Sequence, residues 1–301
     1  MTLCGAAVLL VLAWMIGSTT SDAWPILQQE GLGLFTSSEW QPGSSRDPAN
    51  IEGSYGGLEF FYGTIVSSLL AMAMAIPLAV GIALYLTQLA PRRLRTPLTY
   101  TVDLLAAIPS VVYGLWGSLF LVPLLIPVMT FVADTLGGIL PFLGPPVRVR
   151  NLFMASLVLA IMVLPITSAV IREVMATVPR DERWAAFGLG ATRWEVVRKV
   201  VLPRARAGII GGSMLGLGRA LGETIAVLLI IGGNARLEFR LFDTQQTVAA
   251  QIAAAFKEAS PEHIRGLIAL GVGLFVLTIL VNVAARLIVN RFGQVTGDAA
   301  L

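Results

Sequence analysis

Six long blocks of apolar residues, separated by charged loops, constrain this chain more than any other feature. They run from Leu3 to Ile16, Phe60 to Leu89, about Leu98 to Val132, Leu152 to Ile171, Ile209 to Ile231 and Ile268 to Ile288. A helix that crosses a bilayer needs about 20 mainly apolar residues. All the blocks but the first reach that length. Only 13% of the 301 residues are charged, roughly half the ~25% usual in soluble domains. The expectation is an all-α polytopic membrane protein with six transmembrane helices.

Two blocks exceed one straight span, and both contain proline: Pro77 in the second, and Pro109, Pro123 and Pro127 in the third. Proline removes a backbone donor and clashes with the preceding turn. In lipid, irregular backbone survives only where protein or water covers it. Both blocks are therefore expected to pack against neighbours or line a path. The first block has the length of a signal-peptide core, and Ser21-Asp22-Ala23 resembles a cleavage site. No Lys or Arg precedes it, however, and a signal peptide has a basic leading region. A retained helix is expected.

Loop charges set the orientation, because cytoplasmic loops carry an excess of Lys and Arg. One side would hold 13 of the 21 basic residues, eight of them between the fourth and fifth blocks; the other would hold 7, Arg46 among them. The richer side is read as cytoplasmic, which puts both termini there. Two long outer segments follow, 17–59 and 233–265. Each is large enough to order into a docking surface or merely to connect.

Several function classes drop out. One cysteine, Cys4, and one histidine, His263, leave no disulfide framework and no credible zinc site. No long basic run points to nucleic acid. No Gly-Lys-Ser/Thr occurs, and the only lysines are Lys199 and Lys257, so the chain lacks a phosphate-binding loop for ATP. Gly216-Leu-Gly218 sits inside an apolar block rather than after a strand, which rejects a dinucleotide fingerprint.

The loop 179–203 carries the strongest signal. Pro179, Asp181 and Glu182 suit a helix start. Trp184, Ala185, Phe187, Gly188 and Leu189 make a short apolar surface, and Gly190 breaks it. Trp194, Val197, Val200 and Val201 resume it, with Arg193, Arg198 and Lys199 on another face, and Pro203 is expected to end it. Two short amphipathic helices around a glycine turn either lie on the membrane surface or press into a groove on a cytosolic partner.

The fifth block holds Arg219 and Glu223 inside an apolar run. Each charge costs about 2.5–3.5 kcal/mol at mid-membrane, so such residues face the bundle interior or a water-filled path. Four residues apart, they fall on one helix face within pairing reach. They form either a structural salt bridge or an anion site, with Arg219 on the anion and Glu223 orienting it. Glycine spacings at Gly212 and Gly216, and at Gly218 and Gly222, predict close helix approach. Asp103 reads as a helix-end residue near the cytoplasmic face.

The loop resembles the signature of ABC importer permeases: Glu-Ala-Ala, three residues, Gly, nine residues, Ile, one residue, Leu-Pro. Ala185, Ala186, Gly190, Val200, Leu202 and Pro203 stand at those spacings, and Trp184 stands where that family has glutamate. Gly216 to Thr224, Leu105 to Trp116 and Leu34 to Pro42 are similar to segments of PstC-type phosphate permeases. The resemblance implies an ABC importer type I permease fold in the inner membrane of a prokaryote. It divides the chain into 1–59 (first helix and outer loop), a permease core over 60–290 and a cytoplasmic tail over 291–301. It further implies a PstA-type sister permease, a PstB-type ATPase dimer that binds ATP and Mg in place of this chain, and a PstS-type protein delivering phosphate. Trp184, Ala185, Ala186, Gly190, Ala191, Leu202 and Pro203 would form the coupling surface, and Arg219 and Glu223 the anion pathway. A permease for another oxyanion, molybdate or sulfate, remains the alternative. An intramembrane enzyme lacks a nucleophile–base pair or metal cluster in the spans, and an ATP-independent channel does not account for the loop.

Overall fold

Where apolar residues run for five or more turns the chain is helical. The computed structural model describes residues 2–42, 53–234 and 236–293. In chain order its longer helices are α1 (Thr2–Glu30), α3 (Leu58–Leu84), α4 (Arg92–Ala106), α6 (Val122–Leu136), α7 (Leu152–Ala176), α10 (Leu202–Leu221) and α13 (Pro261–Gly293). Between them lie α2 (Gly33–Thr36), a two-stranded ribbon of β1 (Trp40–Gln41) and β2 (Ser54–Tyr55), α5 (Ser110–Trp116), α8 (Arg180–Gly188), α9 (Arg193–Val196), α11 (Ile225–Ile230) and α12 (Val248–Ala255). Five helical stretches are long and apolar enough to cross a membrane: Gly5–Glu30, Leu58–Leu89, Ser110–Leu136, Leu152–Ala176 and Pro261–Leu287.

α7 is the axis of the bundle, packed by α3, α10, α4, α11 and α5. It begins where Asn151 caps it, its side-chain oxygen accepting from the Met154 N–H at 2.9 Å. α3 meets α7 through Ala71, Ala75, Ala79 and Ala83, one per turn and all fully buried. Small side chains at this spacing bring two helix backbones together, the main source of association where lipid removes the hydrophobic drive. α10 uses glycine for the same purpose. A Cβ at Gly208 would collide with Val174, at Gly212 with Ile171 at 3.0 Å, and at Gly216 with Thr167. The expected approach at Gly212 and Gly216 is present. That at Gly218 is not: its Cβ would meet nothing.

The end of the bundle where α3 and α13 begin has its own cluster. Ala23 and Ile26 of α1 join Leu34, Tyr55, Phe60, Phe61, Leu267 and Leu270. The Trp40 indole stands edge-on to Tyr55 at 5.4 Å and to Phe60 at 5.2 Å. Gln245, Gln246 and Thr247 are buried. Thr247 caps α12, while the Val248 N–H donates to the Thr64 hydroxyl at 3.0 Å.

Four expectations are corrected. The first block does not stop at Ile16: α1 continues to Glu30 through residues read as outer loop. Thr19 folds its hydroxyl back onto the Met15 carbonyl at 2.8 Å, so polar residues ride the helix without breaking it. The third block is two units. α4 ends at Ala106, Pro109 precedes α5, and a π-turn, Gly117–Leu121, joins α5 to α6. Pro109 lacks the N–H that would have continued the helix. Asp103 consequently sits in the last turn of α4, paired with Arg172 of α7 at 3.0 Å. The fifth block is not one helix: α10 starts at Leu202 and the helix breaks over Gly222–Thr224 before α11. Last, Pro203 does not end the loop helix. α9, a π-turn over Val197–Val201 and α10 are continuous, with Pro203 in the first turn of α10. The Leu202 N–H bonds the Val197 carbonyl, the five-residue step of a π-turn, and Pro203 follows without a donor of its own. Arg46, counted with the outer loops, and residues 294–301 of the expected tail lie outside the described residues.

Candidate functional site

The two intramembrane charges come from a helix that breaks between them. Arg219 is in the last turn of α10, and Gly222 caps that helix. Glu223 lies in the break. Its Oε1 accepts from the Ala226 N–H at 3.3 Å, in the first turn of α11. The expected Arg219–Glu223 pair is absent: no ion pair joins the two, because the break turns the carboxylate along the chain to cap α11. Thr224 supports the turn by donating its hydroxyl to the Gly222 carbonyl at 3.2 Å.

Arg219 is left exposed, with no ion pair among the described residues. It lines a cavity of about 840 Å³ between α7, α10 and α13, together with Gly211, Gly218, Asn282 and Arg286. The rest of the lining is apolar, and no carboxylate contributes among the described residues. Gly218, whose missing side chain touches nothing, opens this cavity rather than closing a helix seam. A guanidinium of this kind offers a planar fork of donors to an oxyanion. Sequence reasoning missed Asn282 and Arg286. Asn282 carried a usable signal, a lone amide inside an apolar block. Arg286 was absorbed into the topology count.

At the other end, α8 and α9 form the loop read as the coupling surface. Gly190 makes the turn at φ +81°, backbone that a side chain rarely adopts. The Ala191 N–H closes the end of α8 on the Ala186 carbonyl at 3.1 Å. Thr192 and Glu195 form a capping box that starts α9. The Thr192 backbone N–H, then its hydroxyl, hold the Glu195 carboxyl below its ordinary range. Glu182 makes a two-point bond to Arg204 in α10, at 2.7 and 2.9 Å, tying α8 to the root of α10.

The seven loop residues divide. Trp184, Ala185 and Gly190 are exposed, and Ala186 and Ala191 half-buried. Trp184 is 69%, Leu189 90% and Trp194 64% exposed, an apolar surface of the kind that marks interaction sites. Leu202 instead packs inward with Ala79, Ala83, Ile171 and Val201. Leu202 and Pro203 belong to the anchoring of the loop, not to its exposed face.

Residues 75–294 match the model of the family described as binding-protein-dependent transport system inner membrane component. The chain is 44% identical to the phosphate transport system permease protein PstC of Xylella fastidiosa, over 97% of this chain and 90% of that protein. It is 40% identical to the PstC of Mesorhizobium japonicum, over 97% and 89%. Among solved structures, a chain of a bacterial alginate ABC transporter in complex with an alginate pentasaccharide-bound periplasmic protein matches over 97% of this chain and 95% of its own. Its TM-score is 0.61 at 17% identity. The MetNI methionine ABC transporter gives 0.51 at 20% identity, over 76% and 91%. These likenesses concern the fold alone.

Proposed function

This chain belongs to the family of binding-protein-dependent transport system inner membrane components, and from that premise we propose that it is the permease subunit of an ATP-driven phosphate importer, set in the inner membrane. The observation that carries the reading is an exposed arginine on a broken helix that has, among the described residues, neither a counter-ion nor an acid in its cavity. Arg219 receives phosphate. Glu223 acts on the break, capping α11, instead of pairing with the arginine. α10 and α11 together make the sixth crossing, and both termini face the cytoplasm. The path forms between this chain and a homologous permease. A separate ATPase dimer binds ATP and Mg and docks on the exposed loop face around Trp184, Ala185 and Gly190. An external binding protein delivers phosphate to the outer cluster around Trp40. ATP-driven movement of the loop then shifts the population between inward-open and outward-open states.

The test is co-reconstitution of the four components in liposomes, measuring ATP-dependent phosphate uptake. Arg219→Gln is expected to lower uptake at least tenfold with the complex still assembled. Uptake at the wild-type rate would remove Arg219 from the path. Uptake that sulfate or molybdate competes as well as phosphate would move the substrate to another oxyanion.

A further inference from the structure

Away from the Arg219 cavity, a second hollow of about 660 Å³ opens beside the cytoplasmic loop. Its wall is drawn from the end of the second span, α4, the last turns of α7, α8 and α9. Five arginines line it, Arg95, Arg172, Arg180, Arg183 and Arg193, with Glu173 as the one acidic residue among the described residues. A topology signal needs basic residues on one side of the membrane, scattered along the loops. It does not require five from four separate segments to converge on one hollow.

Their existing partners leave most of that charge uncompensated. Arg172 is paired with Asp103. Arg95 donates to the Thr87 carbonyl at 2.9 Å, and Arg183 to Gln88 and to the Val178 carbonyl, all neutral groups. Arg180 and Arg193 have no hydrogen bond or ion pair among the described residues. Two further donors, Arg172 Nη1 and Arg183 Nε, are buried without an acceptor. A buried donor left without an acceptor is unfavourable, the more so when charged. Those two are covered, so a ligand acts on them through the guanidinium charge, while Arg180 and Arg193 are exposed and offer their forks directly.

We propose that this hollow is an oxyanion site, binding a phosphate group through Arg180 and Arg193 with Arg95, Arg172 and Arg183 behind them. Orthophosphate and the headgroup of an anionic phospholipid present the same chemistry here. Because Trp184 and Phe187 share the lining, an occupant also touches the loop at its exposed apolar face. The inference does not depend on Arg219 or on the transported solute.

The test uses the full chain in nanodiscs of phosphatidylcholine, with inorganic phosphate as the probe. Phosphorus NMR line broadening is read in the Arg219→Gln background, which removes the phosphate site proposed above, and should fall at least fivefold when R180Q/R193Q is added. R180K/R193K should retain part of it. Modification of wild type by phenylglyoxal supplies a reading that needs no variant. Phosphate should protect Arg180 and Arg193 several-fold and leave Arg198 and Arg206 unprotected. Adding phosphatidic acid to the discs separates the sources. If it displaces phosphate and protects the same two arginines, the lipid headgroup is the ligand; if it does neither, free phosphate is. Absence of protection at Arg180 and Arg193 by either probe overturns the proposal, as does unchanged broadening when R180Q/R193Q is added to a folded Arg219→Gln chain.

Discussion

α7 and the α10–α11 pair stand side by side and obey opposite rules. α7 is continuous over 25 residues and sheathed on most sides, with Val163, Ile171 and Met175 fully or nearly fully covered. α10–α11 presses one glycine-lined face on α7 and turns the other, with Arg219, to an open cavity. It breaks where α7 does not, although α7 contains Pro165. Proline removes the donor to the carbonyl four residues back, here that of Ile161, and such an interruption is tolerated in a membrane helix that is buried in protein; Pro165 is buried. The lesson is that cover, more than the presence of a breaking residue, decides where a membrane helix stays whole. α7 is scaffold, and α10–α11 is the element with room to move.

The sharpest way to break that contrast is to hollow out the scaffold. Ile171→Ala should cost roughly 2–3 kcal/mol in a denaturant titration in micelles. The low end applies because lipid already solvates the side chain once helices part. Leu215→Ala, on the exposed face of α10, should change the same midpoint by less than about 0.5 kcal/mol. Equal losses would show that α10 is as enclosed as α7. Next in size, Gly216→Val should cost about 1–3 kcal/mol by overpacking against Thr167 and Val163, while Gly218→Ala, opening on free space, should be close to neutral. Glu223→Ala removes the cap of α11 and should cost about 1 kcal/mol; Glu223→Gln keeps an acceptor and should cost less. A Gln variant as damaging as Ala would assign the effect to charge instead of capping. The smallest effect concerns the loop. Glu195 has a depressed carboxyl, so its contribution to the start of α9 is complete above the unfolded value near 4.3 and is lost as pH falls through the lower folded one. Hydrogen exchange at residues 193–196 should quicken below that point, and Thr192→Ala should remove the transition.

Most of the architecture was legible because the bilayer demands long apolar runs, and Leu152–Ile171 and Ile268–Ile288 lie inside α7 and α13 almost as read. What failed were boundaries that apolar content does not encode. α1 outran its block because Ser and Thr hydroxyls satisfy themselves on the preceding turn. α4 was hidden because its leucines joined it in sequence to the next span across Pro109. For the site, the residue types were legible and the pairing was not. Spacing placed Arg219 and Glu223 together only if the helix continued, and Gly222-Glu223-Thr224 gave no unambiguous stop. The loop motif identified the exposed surface. It did not reveal that Leu202 faces the core, since a spacing pattern carries no information about which side is covered.

The run of helix from Arg193 to Leu221 is continuous, and at 1.5 Å per residue the stretch between Arg193 and Arg219 covers about 40 Å. Its bending points sit at its two ends: the π-turn at Val197–Val201 with Pro203 beside the loop, and the break at Gly222 just past Arg219. The piece between them carries the guanidinium, so a displacement of the loop reaches Arg219 through one uninterrupted segment and two joints that frame it.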